Sequence, residues 1–324
     1  MPGKSIVAVD MGGTKILASV VNSKDGIIAR VKEPTDPNSS QGKYVNALAS
    51  IVTQVVKKSG VQKRNIKAVC IGVPGSVNPV SGVISLAPNL GLKNFRIKEK
   101  LQAKIPFPVL IENDVNLGAI GIKQFGAGRK SKNLLAVFVG TGIGGGIIVN
   151  EKIYRGSQFV AGEIGHILVD ANGPICGCGN RGCFEAIASR TAIVNNIISD
   201  IKSGKKSELA EKVKAGERIK SKALANAIKN GDKVVIKRIS EGCDVIGGVL
   251  ASLANFMNFD TIVLGGGMIE AMDKFMMPKI KDSLYQHILQ ASSKGLKIVP
   301  SKLGDDAAIW GAIGLAEEFL DVKI

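Results

Sequence analysis

"IVAVDMGGTKILASVVN" occupies residues 6–22, and "LLAVFVGTGIGGGIIVN" occupies residues 134–150. Laid one over the other, they match strand for strand and glycine turn for glycine turn. Ala8 pairs with Ala136, Val9 with Val137, Gly12 with Gly140, Val21 with Val149 and Asn22 with Asn150. Two apolar runs around a glycine-rich turn are the pattern of two strands joined tightly. Its recurrence points to an internal duplication. The expected architecture is therefore α/β, with two similar lobes that present two glycine loops to one cleft.

The flanking segments fit this plan. "KYVNALASIVTQVVKK" puts Tyr44, Leu48, Ile51, Val52 and Val55 on one face at helical spacing. "IKAVCIGVPG" and "PVLIEND" are continuous apolar runs, as in the buried strands of a helix-covered sheet. "VNLGAIGIKQFG" reads as a helix starting just after Asp114. From about residue 184 the chain turns helical, through "FEAIASRTAIVNNIISDIK", "KSELAEKVKAG", "SKALANAIKNG" and "KVVIKRISEGCDVIGGVLASLANFMN". The strand "TIVLGGG" interrupts these helices, and "DAAIWGAIGLAEEFL" ends the chain as an amphipathic helix. No low-complexity linker is present. The expected division is a small lobe of residues 1–115, on which the helix at about 305–324 packs back, and a large lobe of residues 116–304, with a hinge near "IENDVN".

A chain of 324 residues has room for two domains. Its formal charge of +16 attracts anions, nucleotides included. The lysines alternate with glutamates, as in "IKSGKKSELAEKVK", which marks solvated helix faces rather than a nucleic-acid stripe. No apolar run approaches the roughly 20 residues needed to span a bilayer. "MPGKSIVAVD" enters a strand without a signal-peptide core, so a cytoplasmic, reducing location is expected, with no membrane and no nucleic-acid partner. There an odd count of five cysteines favours metal binding over disulfides. Cys70 and Cys243 sit in apolar surroundings and are expected to be inert.

Three glycine segments carry candidate chemistry. "DMGGTK" offers Gly12, Gly13, the Thr14 hydroxyl, the Lys15 ammonium and the Asp10 carboxylate. "GTGIGGG" offers Thr141 and Gly142, and "LGGG" offers Gly265 and Gly266. Glycine lets backbone N–H groups approach a ligand and tolerates positive φ. Arrays of such groups bind phosphate. Neither of the first two turns leads into a helix, which argues against a dinucleotide fingerprint. In "IENDVN", Asn113 and Asp114 stand where a strand meets a helix. Either side chain suits a helix cap. A carboxylate there also suits a base that takes an alcohol proton during phosphoryl transfer.

Cys176, Cys178 and Cys183 form Cys-x-Cys-x4-Cys, with His166 ten residues before the first. Three thiolates and one imidazole suit a closed tetrahedral zinc site. The intervening "ILVDANGPI" carries no basic reader, so the metal is expected to order a loop of a larger site. Glu163 and Glu185 flank the cluster.

In order, "DMGGTK", "GVPGSV", "APNL", "IENDVN", "GTGIGGG", "AGEIGH", "CGCGNRGCFE", "LGGG" and "WGAIGLA" resemble the ROK family of sugar kinases over essentially the full length. The resemblance implies a two-lobed actin-like ATPase (ribonuclease H-like) fold with a zinc-bound loop. It implies Asp114 as catalytic base, and ATP contacts at Asp10, Gly12, Gly13, Thr14, Lys15, Thr141, Gly142, Gly265 and Gly266. Sugar contacts are implied at Gly75, Asn89, Asn113, Asp114, Glu163, His166 and Glu185. Mg2+ accompanies ATP, oriented by Asp10 through water. Structural zinc is implied on His166, Cys176, Cys178 and Cys183, with the second histidine nitrogen turned to the sugar. Where the family often has Trp after "NL", this chain has "GLKNF".

The activity so implied is an ATP-dependent hexose kinase, first a glucokinase acting on the 6-hydroxyl. N-acetylglucosamine, N-acetylmannosamine, mannose and fructose stand as alternatives. Some relatives are sugar-sensing repressors with a preceding helix-turn-helix. The first strand at about Ser5 favours the enzyme. A homodimer is usual in such proteins.

Overall fold

The structure is a computed structural model that describes residues 3–36 and 39–324. In strand Ser5–Met11, Val7, Val9 and Met11 face one apolar cluster while Ile6 and Ala8 face another. Both faces are buried, which is why the run lacks polar alternation. Each fully buried Val or Ile of this kind contributes about 1.5–3 kcal/mol.

The first sheet places Gly26–Pro34, Lys15–Asn22, Ser5–Met11, Ile66–Val73 and Val109–Asn113 side by side in that order. The last three are parallel, and the first two pair antiparallel with their neighbours. One face is covered by the helix Gln41–Ser59, whose predicted face of Tyr44, Leu48, Ile51, Val52 and Val55 is buried. The Ser40 side chain accepts from the Lys43 N–H at its start, and Gly60 at φ +69° ends it. A small antiparallel sheet of Ser76–Asn78, Val83–Ala87 and Leu92–Phe95 adds to the same cluster. The other face is covered by helices Asp114–Phe125 and Ala307–Leu320. Cys70 is buried there, and burial pushes its thiol up.

The second sheet runs Lys152–Ile153, Ile143–Val149, Leu134–Val139, Thr261–Gly265 and Lys297–Pro300. Counted by position in the chain, both sheets have the order third, second, first, fourth, fifth. The likeness of residues 6–22 and 134–150 therefore extends to whole sheets. In each, a helix follows the fifth strand: Asp114–Phe125 and Ala307–Leu320. These two helices meet through backbone. A methyl group on Gly121 would overlap the Ala307 carbonyl, and one on Gly311 would overlap the Leu117 carbonyl.

The chain divides into two compact units, Met1–Lys130 with Gly146–Ala161 and Asp305–Ile324, and Ser131–Gly145 with Gly162–Gly304. The expected boundary at 115/116 cuts the first turn of Asp114–Phe125. That helix belongs with the first unit because Leu117 and Gly121 lie against the C-terminal helix. The single helix expected over "FEAIASRTAIVNNIISDIK" is two, Phe184–Ala188 and Arg190–Lys202. Ser189 between them is extended, and its hydroxyl accepts from the Ala192 N–H at 3.2 Å, so the serine caps instead of continuing. "KSELAEKVKAG" is helical only at Ala210–Lys214. Among the described residues no helix is long and apolar enough to cross a membrane.

Candidate active site

In the first unit, the turn after Met11 is closed by the Gly12 N–H donating to the Lys15 carbonyl at 2.9 Å. A Cβ on Gly13 would lie 3.2 Å from the carbonyl of Asn89, an exposed residue in the short turn Pro88–Leu90. Neither glycine has positive φ, contrary to the conformational freedom expected of them; close approach is what each supplies. The Thr14 carbonyl accepts from the Thr35 N–H at 3.1 Å. Asp10 is the next-to-last residue of the strand Ser5–Met11. Burial pushes its carboxyl up, Lys15 opposes this, and Asp305 adds to it. A bound cation would favour its charged form.

The strand Val109–Asn113 ends where the helix begins, and Asn113 is the cap. Its Oδ1 accepts from the Asn116 N–H at 3.0 Å, and its Nδ2 donates to the Gly75 carbonyl at 3.0 Å. Gly75 stands at φ +104° with the Leu86 carbonyl where a Cβ would be, so only glycine fits. Gly75 thus holds Asn113, a role its motif did not signal. Asp114 is the first helical residue, half-buried, and its Oδ1 accepts from the Val115 N–H at 3.0 Å. Gly72, on the adjacent strand, was not singled out by the sequence. A Cβ there would lie 3.7 Å from that of Asp114 and 3.0 Å from the Leu117 side chain.

Behind Asp114 lies an ion network that sequence spacing did not signal. Glu112 is buried, and its Oε1 accepts from the Asn113 N–H at 2.9 Å and Asn116 Nδ2 at 3.1 Å. Its Oε2 pairs with Arg155 Nε at 2.6 Å. Arg155 also grips both Glu318 oxygens, at 2.7 and 2.8 Å. Burial works against the Arg155 charge, but the hydrogen bonds and charges of Glu318 and Glu112 outweigh it and hold the guanidinium above its ordinary range.

In the second unit, the Gly140 N–H donates to the Gly142 carbonyl at 2.9 Å, a closure one residue tighter than the Gly12-to-Lys15 bond of the first turn. Glu185 Oε2 accepts from the Ile143 N–H at 2.8 Å, in space that a side chain on Gly142 would fill. Thr141 is tied at both ends: its hydroxyl accepts from the Arg190 guanidinium and its carbonyl from the Thr191 hydroxyl at 2.7 Å. In the "LGGG" turn, Gly265 sits between Phe138 and Ser301, and Gly266 stands at φ +85° with the Val139 carbonyl 2.7 Å from where a Cβ would be.

The His166 and cysteine atoms lie within 4.8 Å of one another. Cys176 Sγ is 3.7 Å from His166 Nδ1, and Cys178 Sγ is 3.7 Å from Cys183 Sγ. Thiolates about 2.3 Å from a tetrahedral zinc stand about 3.8 Å apart, so the four side chains fit that ion. The sulfurs are too far apart for a disulfide, whose bond is about 2.05 Å. Burial pushes the Cys183 thiol up to about 12, while the Asn180 backbone N–H lowers that of Cys178. With Nδ1 facing the thiols, His166 turns Nε2 toward Glu163 Oε2, 3.9 Å away. The sequence-predicted residues thus form two clusters. Asp10 to Lys15, Gly75, Asn89, Asn113 and Asp114 belong to the first unit; Thr141, Gly142, Glu163, His166, the cysteines, Glu185, Gly265 and Gly266 belong to the second.

The sequence model of the ROK family matches residues 6–319. The chain belongs to the ROK family. This ROK protein is 33% identical over 318 residues to the glucokinase of Streptomyces coelicolor, covering 96% of this chain and 97% of the relative. It is 31% identical over 311 residues to the xylose repressor of Caldicellulosiruptor bescii, covering 96% of this chain and 77% of the relative. Among solved structures, a ROK family glucokinase from Streptomyces griseus in complex with glucose and AMPPNP superposes with a TM-score of 0.84 at 30% identity. That match covers 97% of this chain and 99% of the other, so the ROK fold of two α/β units is shared throughout.

Proposed function

We propose that this ROK protein is an ATP-dependent hexose kinase, a glucokinase that transfers the γ-phosphoryl group of ATP to the sugar 6-hydroxyl. The observation that carries this is the strand-to-helix junction. Asn113 performs the capping that would otherwise explain an acid there, and Glu112 and Gly75 hold Asn113 in turn. Asp114 is the base. The full-length likeness to glucokinases, one of them bound to glucose and AMPPNP, supports the same activity.

In the transfer, Asp114 accepts the hydroxyl proton as the sugar oxygen attacks the γ-phosphorus in line and the bond to the β-phosphate oxygen breaks. The glycine turns at Gly12–Gly13 and Thr141–Gly142 offer N–H groups to the phosphates, Lys15 offsets charge on the transferred group, and Gly265 and Gly266 border the adenosine. Asp10, with Asp305 close enough to raise its pKa, is the acid that would orient Mg2+ through water, and the ion would offset phosphate charge. Asn89, Asn113, Glu163, Glu185 and His166 Nε2 take sugar hydroxyls, with Gly75 acting through Asn113. His166 Nδ1 and the three cysteines would hold zinc, which bound there fixes the imidazole aim. A reducing compartment such as the cytoplasm would keep these thiols available as metal ligands. Exposed Leu168 and Phe256, at 63% and 82%, beside Val249 and Leu253, form an apolar face suited to a homodimer.

A coupled assay with ATP and Mg2+ against glucose, mannose, fructose, N-acetylglucosamine and N-acetylmannosamine tests the activity, and glucose is expected to have the highest kcat/KM. A gel shift at physiological salt, expected to show no retardation, tests the repressor alternative. Asp114→Asn is expected to lower kcat at least about 100-fold with ligand affinities kept. Retention of more than about a tenth of the rate would remove Asp114 from the role of base.

A further inference from the structure

Arg190 opens the helix Arg190–Lys202 and holds the second glycine turn twice over. Its backbone N–H donates to the Gly140 carbonyl at 2.9 Å, and its Nη2 donates to the Thr141 hydroxyl. Its Nη1 reaches Ser221 Oγ at 3.5 Å. A Cβ on Gly267 would lie 3.7 Å from that same hydroxyl. The guanidinium therefore ties the Gly140–Gly142 turn to Ser221, whose hydroxyl lies beside Gly267.

Among the described residues Arg190 has no acid partner, whereas Arg155 and Arg238 each hold two. Its charged neighbour is another cation. Burial first, and then Arg218, press its pKa below the ordinary value. A partly buried cation facing a like charge is an unfavourable arrangement for folding alone. Two hydroxyl contacts also use only part of a five-donor planar fork. The acceptor that matches such a fork bidentately and supplies the missing charge is a carboxylate or a phosphate. Beside the Gly140–Gly142 turn, which the kinase reading assigns to the donor phosphates, it is phosphate.

We propose that Arg190 is a donor-binding residue whose guanidinium pairs with phosphate oxygens of the phosphoryl donor, Arg218 adding longer-range attraction. The assignment rests on the kinase reading for the identity of the donor. It is tested on the full chain by calorimetric titration of AMPPNP and of inorganic tripolyphosphate into wild type, R190A, R190Q, R190K and R218A. Loss of the charge-assisted contact is expected to weaken both probes roughly 10- to 100-fold in R190A and R190Q. R190K, a point charge without the fork, should recover part of the loss. R218A should show a smaller effect that fades with added salt. The sugar KM should stay within about twofold of wild type, since no sugar contact is removed.

Glutamine keeps a donor for the Thr141 hydroxyl. R190Q binding both probes like wild type would mean that the residue only holds the loop, and would overturn the proposal. So would a loss confined to AMPPNP, which would mean a nucleoside contact. If no sugar is phosphorylated but both probes bind through Arg190, the kinase reading fails and the arginine assignment stands. If wild type turns over glucose and R190A keeps its KM for ATP, the reverse holds. A wild type that binds neither probe overturns both.

Discussion

Replacing Arg155 with Met should unfold the first unit early and blunt catalysis, and the sizes follow from exposure at the two ends of the network. Glu112 is 1% exposed and Glu318 is 45% exposed at the side chain. Removing one partner of a buried pair costs about 3–5 kcal/mol, because the other charge stays behind desolvated. An exposed pair contributes about 0–1 kcal/mol. R155M should therefore cost about 3–5 kcal/mol. E318Q should cost no more than about 1. Adding E112Q to R155M should regain stability, since the stranded charge is gone while the Glu112 oxygen that serves Asn113 and Asn116 is retained as an amide. Urea unfolding followed by tryptophan fluorescence suits the measurement. Trp310 is the only tryptophan, lies on the same C-terminal helix as Glu318, and packs on Phe125 with ring centroids 5.0 Å apart. Below the transition, R155M should lower kcat, by up to about 100-fold if Asp114 moves by an ångström, with the KM for ATP little changed. The reasoning is refuted if R155M costs less than about 1 kcal/mol, or if the double variant is no more stable than R155M.

Stripping zinc with a chelator should lower the melting temperature by more than about 5 °C and raise the sugar KM, leaving AMPPNP affinity intact. An unchanged sugar KM in metal-free protein would separate the cluster from the sugar site. Gly311→Ala drives a methyl group into the Leu117 carbonyl and should cost at least about 2 kcal/mol in the same fluorescence assay. A neutral result would mean that the two helices slide apart freely. Phe256→Asp should convert a dimer to a monomer in sedimentation velocity with kcat kept; a wild-type monomer would refute the apolar face as an interface.

The sequence by itself determined what depends on neighbours in the chain. Apolar runs around glycine turns set the paired strands, helical spacing set the buried face of Gln41–Ser59, and Cys-x-Cys-x4-Cys with His166 set a zinc-sized cluster. Local patterns carry these because strand alternation, helical period and a short ligand loop all act within about 20 residues. Tertiary structure alone decided which of Asn113 and Asp114 caps the helix, that Gly75 holds Asn113, and that Gly72 lies beside Asp114. It also joined Glu112 to Arg155 across 43 positions and Arg155 to Glu318 across 163, and it split one expected helix at Ser189 so that Arg190 begins the next. No periodicity announces such pairs. Each forms only when folding brings distant backbone together and removes water, so its partner is set by packing rather than by spacing.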